Sequence, residues 1–416
     1  MRRPLPAPSR PPRRSGPGPT VPARVCASVS PFLKWFRAMS KFTEAEQLFL
    51  RLYRSALWAD LPQAAPLSSV RADEATWQRV ADIAEAQTCQ GLVADALSRL
   101  PRDERPPKPV YFSLVTATAD AEDANRKMNH CLHGLFPMLE RQGIHAWLLK
   151  GQGMAQCYPH PLHRMAGDID VLIPRKEEFE RAVRLFSAHL PRGEQEGRYE
   201  CAFRLDDIVI ELHSQVVADL NPRLRRHFPA WSHVHYGQQP VRWGDVALPP
   251  THFDAIFVFV HLARHYVGGG IGLRQVADWM RFLYVHRADG GQRPLDVARL
   301  ERDIDRLGLR RLWQAFAALA VRHLGCPARV MPLYDASRRQ QRAADAVLRS
   351  ILDEGNFGYH DAAMAQRPDG FVAGKAFSFL VQTRRMARKL RYFPVETICS
   401  FPQLVLGGLA RVIGRQ

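Results

Sequence analysis

The sequence predicts an α+β fold: a small mixed-sheet core flanked by an N-terminal helical arm and a C-terminal all-helical domain. Three observations carry this. Apolar residues recur at spacings of three and four over 43–145, short β-type runs replace that pattern over 145–217, and helical spacing returns from Thr251 to the end. At 416 residues the chain is long enough for two or three domains with substantial cores. Its 46% hydrophobic and 24% charged content is that of a globular protein.

Residues 1–40 form a basic Pro/Arg-rich extension that cannot build a core and is expected to be disordered. The segment lacks the apolar stretch of a secretory signal, and its prolines oppose an amphipathic transit helix. Met39-Ser40-Lys41-Phe42-Thr43-Glu44 reads as a natural start, which makes the extension the expected product of an upstream start codon. Thr43 is expected to cap the first helix, with Gln47 as its partner. The N-terminal helical region, 41–130, holds EAEQLFLRLYRSALW and ATWQRVADIAEAQTCQGLVADALSRL, and RDERPPKPV then breaks the pattern. A long helical run begins at Tyr111 and leads into the core, 131–250. There the β-type runs are HAWLLKG, DIDVLIP, YECAFRL and IVIELHSQVV, with EEFERAVRLFSAHL as one helix between the second and third. Residues 233–250 suggest a further hairpin, with Gly237 and Gly244-Asp245 as turn candidates. The C-terminal region, 251–416, opens on the helix start THFD and ends in a basic amphipathic tail.

The net charge of +17 is concentrated at the ends. Residues 1–41 carry nine Lys/Arg and no acid, and residues 375–416 carry eight with one acid, Glu396. The remainder is close to neutral, so the charge does not mark the central region as a nucleic-acid binder. The seven cysteines are scattered and never form a CxxC pair, which argues for a reducing compartment and against a disulfide framework or a zinc ribbon. No stretch of ~18 uninterrupted apolar residues is present, because Pro402 and Arg411 break the best one, 397–414. A cytoplasmic protein, or one peripheral to a membrane, is expected.

The chemistry concentrates between Trp147 and Ile173, WLLKGQGMAQCYPHPLHRMAGDIDVLI. Side chains alternate along a strand, so Asp168 and Asp170 share one face while Ile169 and Val171 share the other. Two like charges on one face are tolerable when a cation sits between them, and a divalent metal suits. In Ile208-Val209-Ile210-Glu211-Leu212-His213, Glu211 is the lone acid of another β-type run. If this strand pairs beside the first, three carboxylates converge. Carboxylates that bridge two ions roughly 3.5–4 Å apart can activate a hydroxyl and neutralise a triphosphate. Magnesium, or manganese, suits such oxygen ligands. Each residue also has a plainer reading. The Asp pair could cap a turn, Glu211 could be a solvated edge residue, and Lys150 and Arg164 could be solvated loop bases. His213 could pack beside the site or satisfy a backbone group.

LLKG, Tyr158-Pro159, Arg164, GDIDVLI and IELH together resemble the bacterial family described as uncharacterised nucleotidyltransferases, within the DNA polymerase beta-like nucleotidyltransferase superfamily. FVHLARHYVGGGIGLRQVADW, Phe259 to Trp279, is similar to the helical half of that family. The likeness covers about residues 130–285. It implies that the mixed-sheet core is a nucleotidyltransferase core, that Asp168 and Asp170 bind Mg2+ and the nucleotide phosphates, and that Glu211 is the third carboxylate, placed to activate an acceptor hydroxyl. It further implies that Gly151 lets the backbone approach the triphosphate, with Lys150, Gln152 and Arg164 at the nucleotide. The superfamily's usual Gly-Ser turn is here Lys150-Gly151-Gln152-Gly153, which leaves Lys150 as the candidate for the phosphate contact.

His261 and His265 share one helical face at i, i+4, but the residues between them do not make HExxH, which excludes a zinc protease. They form either a polar cluster facing the nucleotide or a structural network, with Arg274 and Asp278 as candidate partners. Gly268-Gly269-Gly270 breaks two helices and is not a phosphate loop. In the tail, KAFSFLVQTRRMARKLRYF places Phe379, Met386, Leu390 and Phe393 on one face, with Arg384, Arg385, Arg388, Lys389 and Arg391 as charge. Such a helix covers the core with its basic face in water, lies on an anionic membrane, or binds RNA. The expected function is transfer of a nucleoside monophosphate from an NTP, with ATP the first choice, to a hydroxyl acceptor that the sequence does not identify. The alternatives are a silent module holding RNA or an anionic membrane through the basic termini, and a phosphotransferase using the same metal site.

Overall fold

A computed structural model describes residues 42–61, 67, 70–197, 199–358, 360 and 364–402. The Pro/Arg-rich extension, Met39 and the last residues of the basic tail lie outside the described residues.

Four helices come first: α1 (Glu44–Leu57), α2 (Glu74–Ala86), α3 (Gln90–Ser98) and α4 (Lys108–Arg141). Thr43 caps α1 in a reciprocal box with Glu46, not with Gln47, because the partner must sit at the third helical position. Asp73 caps α2 through the Thr76 amide. The run read as one helix over 75–100 is two, because Thr88 adopts φ +53 between them. The 34 residues of α4 span about 51 Å.

The core follows as β1 (Trp147–Leu149), α5 (Gly151–Ala155), β2 (Ile169–Leu172), α6 (Lys176–His189), β3 (Arg192–Gly197), β4 (Glu200–Leu205) and β5 (Ile208–His213). The sheet order is β1-β2-β5-β4-β3. Only the β2–β5 pairing is parallel; the others are antiparallel. A parallel neighbour requires a crossover, and α6 with the β3–β4 hairpin supplies the intervening chain. Ile169, Val171, Leu172, Phe203, Ile210 and Leu212 are buried, so strands β2, β4 and β5 hold the sheet's core.

Two elements were not anticipated. β3, RGEQEG, has no β-branched residue and is a strand through its backbone ladder with β4 at the sheet edge. α7 (Pro222–Tyr236) begins at the Asn221 cap with Pro222 in the first turn. It takes up His233–Tyr236 and makes Gly237 a helix end, so the expected hairpin shrinks to β6 (Val241–Trp243) and β7 (Val246–Leu248), turned by Gly244 at φ +55.

The remaining chain is helical: α8 (Thr251–Gly268), α9 (Leu273–Val285), α10 (Val297–Arg306), α11 (Arg310–Arg322), α12 (Arg338–Glu354) and α13 (Phe371–Leu390). Phe259, Trp279 and Trp313 form its aromatic centre, with ring centroids 4.6–5.1 Å apart. Each such ring pair contributes about 0.5–1.5 kcal/mol beyond area burial. The N-terminal helices close against these: Trp58 Nε1 donates to the Leu324 carbonyl at 2.7 Å, and Gln87 Nε2 donates to the Ile351 carbonyl at 3.0 Å. The buried Arg281 guanidinium donates to Asp60 at 3.1 and 2.7 Å and to the Cys157 carbonyl at 2.8 Å. Arg281 of α9, held by Asp60 beyond the end of α1, therefore braces the chain at Cys157. No described helix is long and apolar enough to cross a membrane.

Candidate active site

The parallel pairing fixes the site. Asp170 on β2 stands opposite Glu211 on β5 in register, which puts both carboxylates on the same sheet face. His213 lies two residues beyond Glu211 and shares that face. Asp170, Glu211 and His213 each offer a ligand atom, all within 4.8 Å of one another. The tight cluster therefore contains His213, whose ring meets Asp170 and not a backbone group. Asp168 precedes the strand and is exposed, outside that cluster.

Charge at this point is balanced by two bases. Lys150 Nζ and His213 Nε2 reach the same Asp170 oxygen at 2.9 and 3.0 Å, and His213 Nε2 lies 3.6 Å from Glu211. Burial alone favours a neutral Asp170, but Lys150 and His213 outweigh it and bring its pKa down to about 2. Burial likewise disfavours a charged His213, yet the hydrogen bonds to Asp170 and Glu211 raise it to about 9. On Lys150 burial is again overcome by Asp170, Asp168 and Glu211, and the ammonium is held more firmly charged. The pKa of Asp168 is raised, chiefly by the neighbouring Asp170 charge; the residue keeps solvent access, so burial adds less.

Lys150 reaches Asp170 by way of an unusual backbone. It ends β1 at φ +53, ψ −141, and Gly151 follows at φ +45. A non-glycine residue in this region costs about 1–3 kcal/mol, and such strain is found where function fixes the geometry. Gly151 lies close to the Asp168 backbone: a Cβ there would stand 3.4 Å from its carbonyl oxygen. The turn and the Asp168 entry to β2 are thus held against each other.

The helical half meets the site at Lys150. His261 Nε2 lies 3.4 Å from Lys150 Nζ, and the His261 and His265 rings are 4.5 Å apart. Burial first, and then the Lys150 charge, push His261 well below its ordinary pKa and bring His265 to about 4, so both rings are neutral at pH 7.

Other residues expected at the nucleotide have internal partners instead. Gln152 is buried and donates to Asn125 Oδ1 at 2.8 Å. Arg164 is buried and makes a two-pronged pair with Asp278 at 2.8 and 2.7 Å, which occupies the fork expected for phosphate. Arg274 donates to the carbonyls of Met165 and Ala166 at 2.7 and 3.2 Å. Asp278 also accepts from Tyr158 at 2.7 Å, so neither Arg274 nor Asp278 supplies the partner expected for the histidine pair. Together with Asn125 Nδ2, which donates to the carbonyls of Leu162 and Arg164, these side chains staple the 156–168 loop in place. The sequence reading missed this role because a basic loop residue and a basic ligand contact look alike without the partner in view.

The same loop carries a pH-dependent contact. His163 lies 2.6 Å from both Asp95 and Glu122 through its two ring nitrogens. Its pKa is raised, chiefly by the hydrogen bond to Asp95, against the opposing effect of burial. A raised folded pKa means that the stabilisation is complete below the unfolded value, about 6.5. It is lost as pH rises through the folded value. The stability gap between wild type and His163→Gln is therefore expected to be widest near pH 5.5 and to narrow towards pH 9, read by urea unfolding across that range. A gap independent of pH contradicts this assignment.

The donor set suits a divalent cation: two carboxylates from adjacent strands with an imidazole beside them, all in ligand reach of one point. No curated relative and no solved structure matches the chain. The sequence matches the uncharacterised nucleotidyltransferase family over residues 73–325, more than half its length. That span contains the in-register acids, the Lys150 turn and the histidine pair, and the protein belongs to this nucleotidyltransferase family.

Proposed function

We infer that the protein transfers a nucleoside monophosphate from an NTP, ATP being the first to test, to a hydroxyl acceptor and releases pyrophosphate. The observation that carries this reading is the register of Asp170 against Glu211, immediately behind the strained Lys150-Gly151 turn. Asp170 and Glu211, with Asp168 at the strand entry, are the residues to hold Mg2+ or Mn2+. A bound divalent ion supplies Lewis-acid polarisation of the phosphate and neutralises its charge.

The chain's own residues have separable roles in this reading. Glu211 is the carboxylate placed to take the acceptor hydroxyl's proton. Lys150, held charged beside Asp170, offers its ammonium to the phosphate oxygens. His213 pairs with both acids and fixes their orientation. Neutral His261 stands on the far side of Lys150 and limits where the ammonium can swing without adding a charge of its own. The buried Arg164–Asp278 pair holds the connecting loop rather than the substrate.

The test is incubation of the full chain with ATP, Mg2+ or Mn2+ and a panel of hydroxyl acceptors, followed by separation of the nucleotide products. Pyrophosphate together with an AMP-bearing acceptor is the expected outcome. ADP as product replaces the reading with phosphotransfer. Absence of metal-dependent nucleotide binding for any NTP replaces it with a silent module.

A further inference from the structure

The C-terminal tail leaves one apolar side outward. On α13 the face turned into the protein mixes the apolar Val381 and Met386 with charge. Lys389 is buried and ion-paired with Glu354 at 3.1 Å, and buried Arg385 donates to the Gly358 carbonyl at 3.0 Å. The outward face instead presents Phe379, Leu380 and Leu390, all exposed, along one side of the helix. The helical stretch 394–402 repeats this, with Val395, Ile398 and Phe401 exposed at spacings of three. Leu380 is 55% and Ile398 62% exposed. An ordinary surface helix buries its apolar stripe and wets its charge. The reading of a basic face in water over a covered apolar face holds in part: Met386 and Phe393 are covered and Arg384 and Arg391 are exposed, whereas Phe379 and Leu390 face outward and Arg385 and Lys389 turn in to the Gly358 carbonyl and Glu354.

A row of outward aliphatic side chains requires a second apolar phase. Its surroundings specify which one. Arg384 and Arg391 stand on the same exposed side as Leu380 and Leu390, and residues 375–416 carry eight basic residues against one acid. Apolar side chains flanked by arginine are complementary to a lipid surface with anionic headgroups, where the apolar groups enter the acyl boundary and the guanidiniums meet phosphate. RNA would instead favour aromatics interleaved with base, whereas Leu380, Leu390, Val395 and Ile398 are aliphatic.

We propose that the outward face of α13 and the 394–402 stretch is a docking surface for an anionic lipid bilayer. This rests on the tail alone and stands apart from the nucleotidyl-transfer reading. α13 packs on α8, where Gln382 donates to the Gly268 carbonyl, so docking sets the helix bearing His261 and His265 close to the bilayer.

The experiment is flotation of the full chain with vesicles of phosphatidylcholine alone or of phosphatidylcholine with phosphatidylglycerol. Capture by the anionic vesicles is expected, with binding to the neutral ones at least about tenfold weaker. Leu380→Glu with Ile398→Glu is expected to cut anionic binding by at least about tenfold while leaving the circular dichroism spectrum and melting unchanged. Arg384→Gln, which removes one charge and no apolar area, is expected to weaken it about fivefold. Both variants retain the basic N-terminal extension, so a loss of binding in them is assigned to the tail. The proposal is overturned if wild type does not float, or if the double variant floats as wild type does. It is equally overturned if light scattering assigns the face to a dimer that the double variant loses, or if the face binds RNA and no vesicle.

Discussion

Asp170→Asn is expected to lower pyrophosphate release from ATP at least about a thousandfold, since a metal's polarisation of the phosphate contributes several kcal/mol. Asp170 is 1% exposed, faces Glu211 in register and is the shared partner of Lys150 and His213. Asparagine keeps the shape and removes the charge, so Lys150 and His213 lose the anion that holds them. Mg2+ affinity, measured by calorimetry, is expected to fall in parallel. Asp207→Asn, at an exposed turn between β4 and β5, serves as the control and is expected to change neither quantity. Wild-type turnover in Asp170→Asn with a stable fold removes the centre of the proposed chemistry.

The second large effect concerns stability. Asp278→Ala leaves the Arg164 guanidinium buried without its carboxylate partner and leaves the Tyr158 hydroxyl only its longer bond to the Arg274 carbonyl at 3.4 Å. Breaking a buried pair from one side costs about 3–5 kcal/mol, because an uncompensated charge remains in the interior. Replacing both sides, Arg164→Met with Asp278→Leu, is expected to recover most of that loss, since apolar residues of similar volume often match a buried ion pair. Urea unfolding of Arg164→Met, Asp278→Leu and the double supplies the coupling. If Asp278→Ala costs less than about 1 kcal/mol, the pair is not the staple of the 156–168 loop that its geometry suggests.

The acids were legible because strand alternation and register are both rules about every second residue. Asp-x-Asp entering one β-type run and a lone Glu in a later one made Asp170 and Glu211 neighbours on condition that the two strands pair, and the register of β2 on β5 meets that condition. Asp168 was harder to place, since it lies one residue before β2 begins, where alternation no longer dictates direction. His213 was discounted, although its position two residues after Glu211 already put it on the same face. Arg164 and Gln152 were placed at the nucleotide by the family resemblance and Arg274 beside the histidine pair by helical spacing, and their partners Asp278, Asn125 and the Met165 and Ala166 carbonyls belong to other helices or to the 156–168 loop's backbone. Helix existence followed from periodicity in most places. α7 escaped because Pro229 and its histidines blur the apolar repeat, though Asn221-Pro222 was a readable start. β3 escaped because its strand character comes from a neighbour's backbone and not from its own side chains.

The crossover between β2 and β5 has an effect on how competence is acquired. Neither acid-bearing strand is complete without the other, and the helix and hairpin between them must be made before they meet. A ribosome-bound chain that has emerged only as far as α6 carries Asp170 and no Glu211. Long-range parallel pairing of this kind is slow to form. The paired carboxylates therefore come together only once the whole crossover has closed, and a fragment that ends within it lacks the pair.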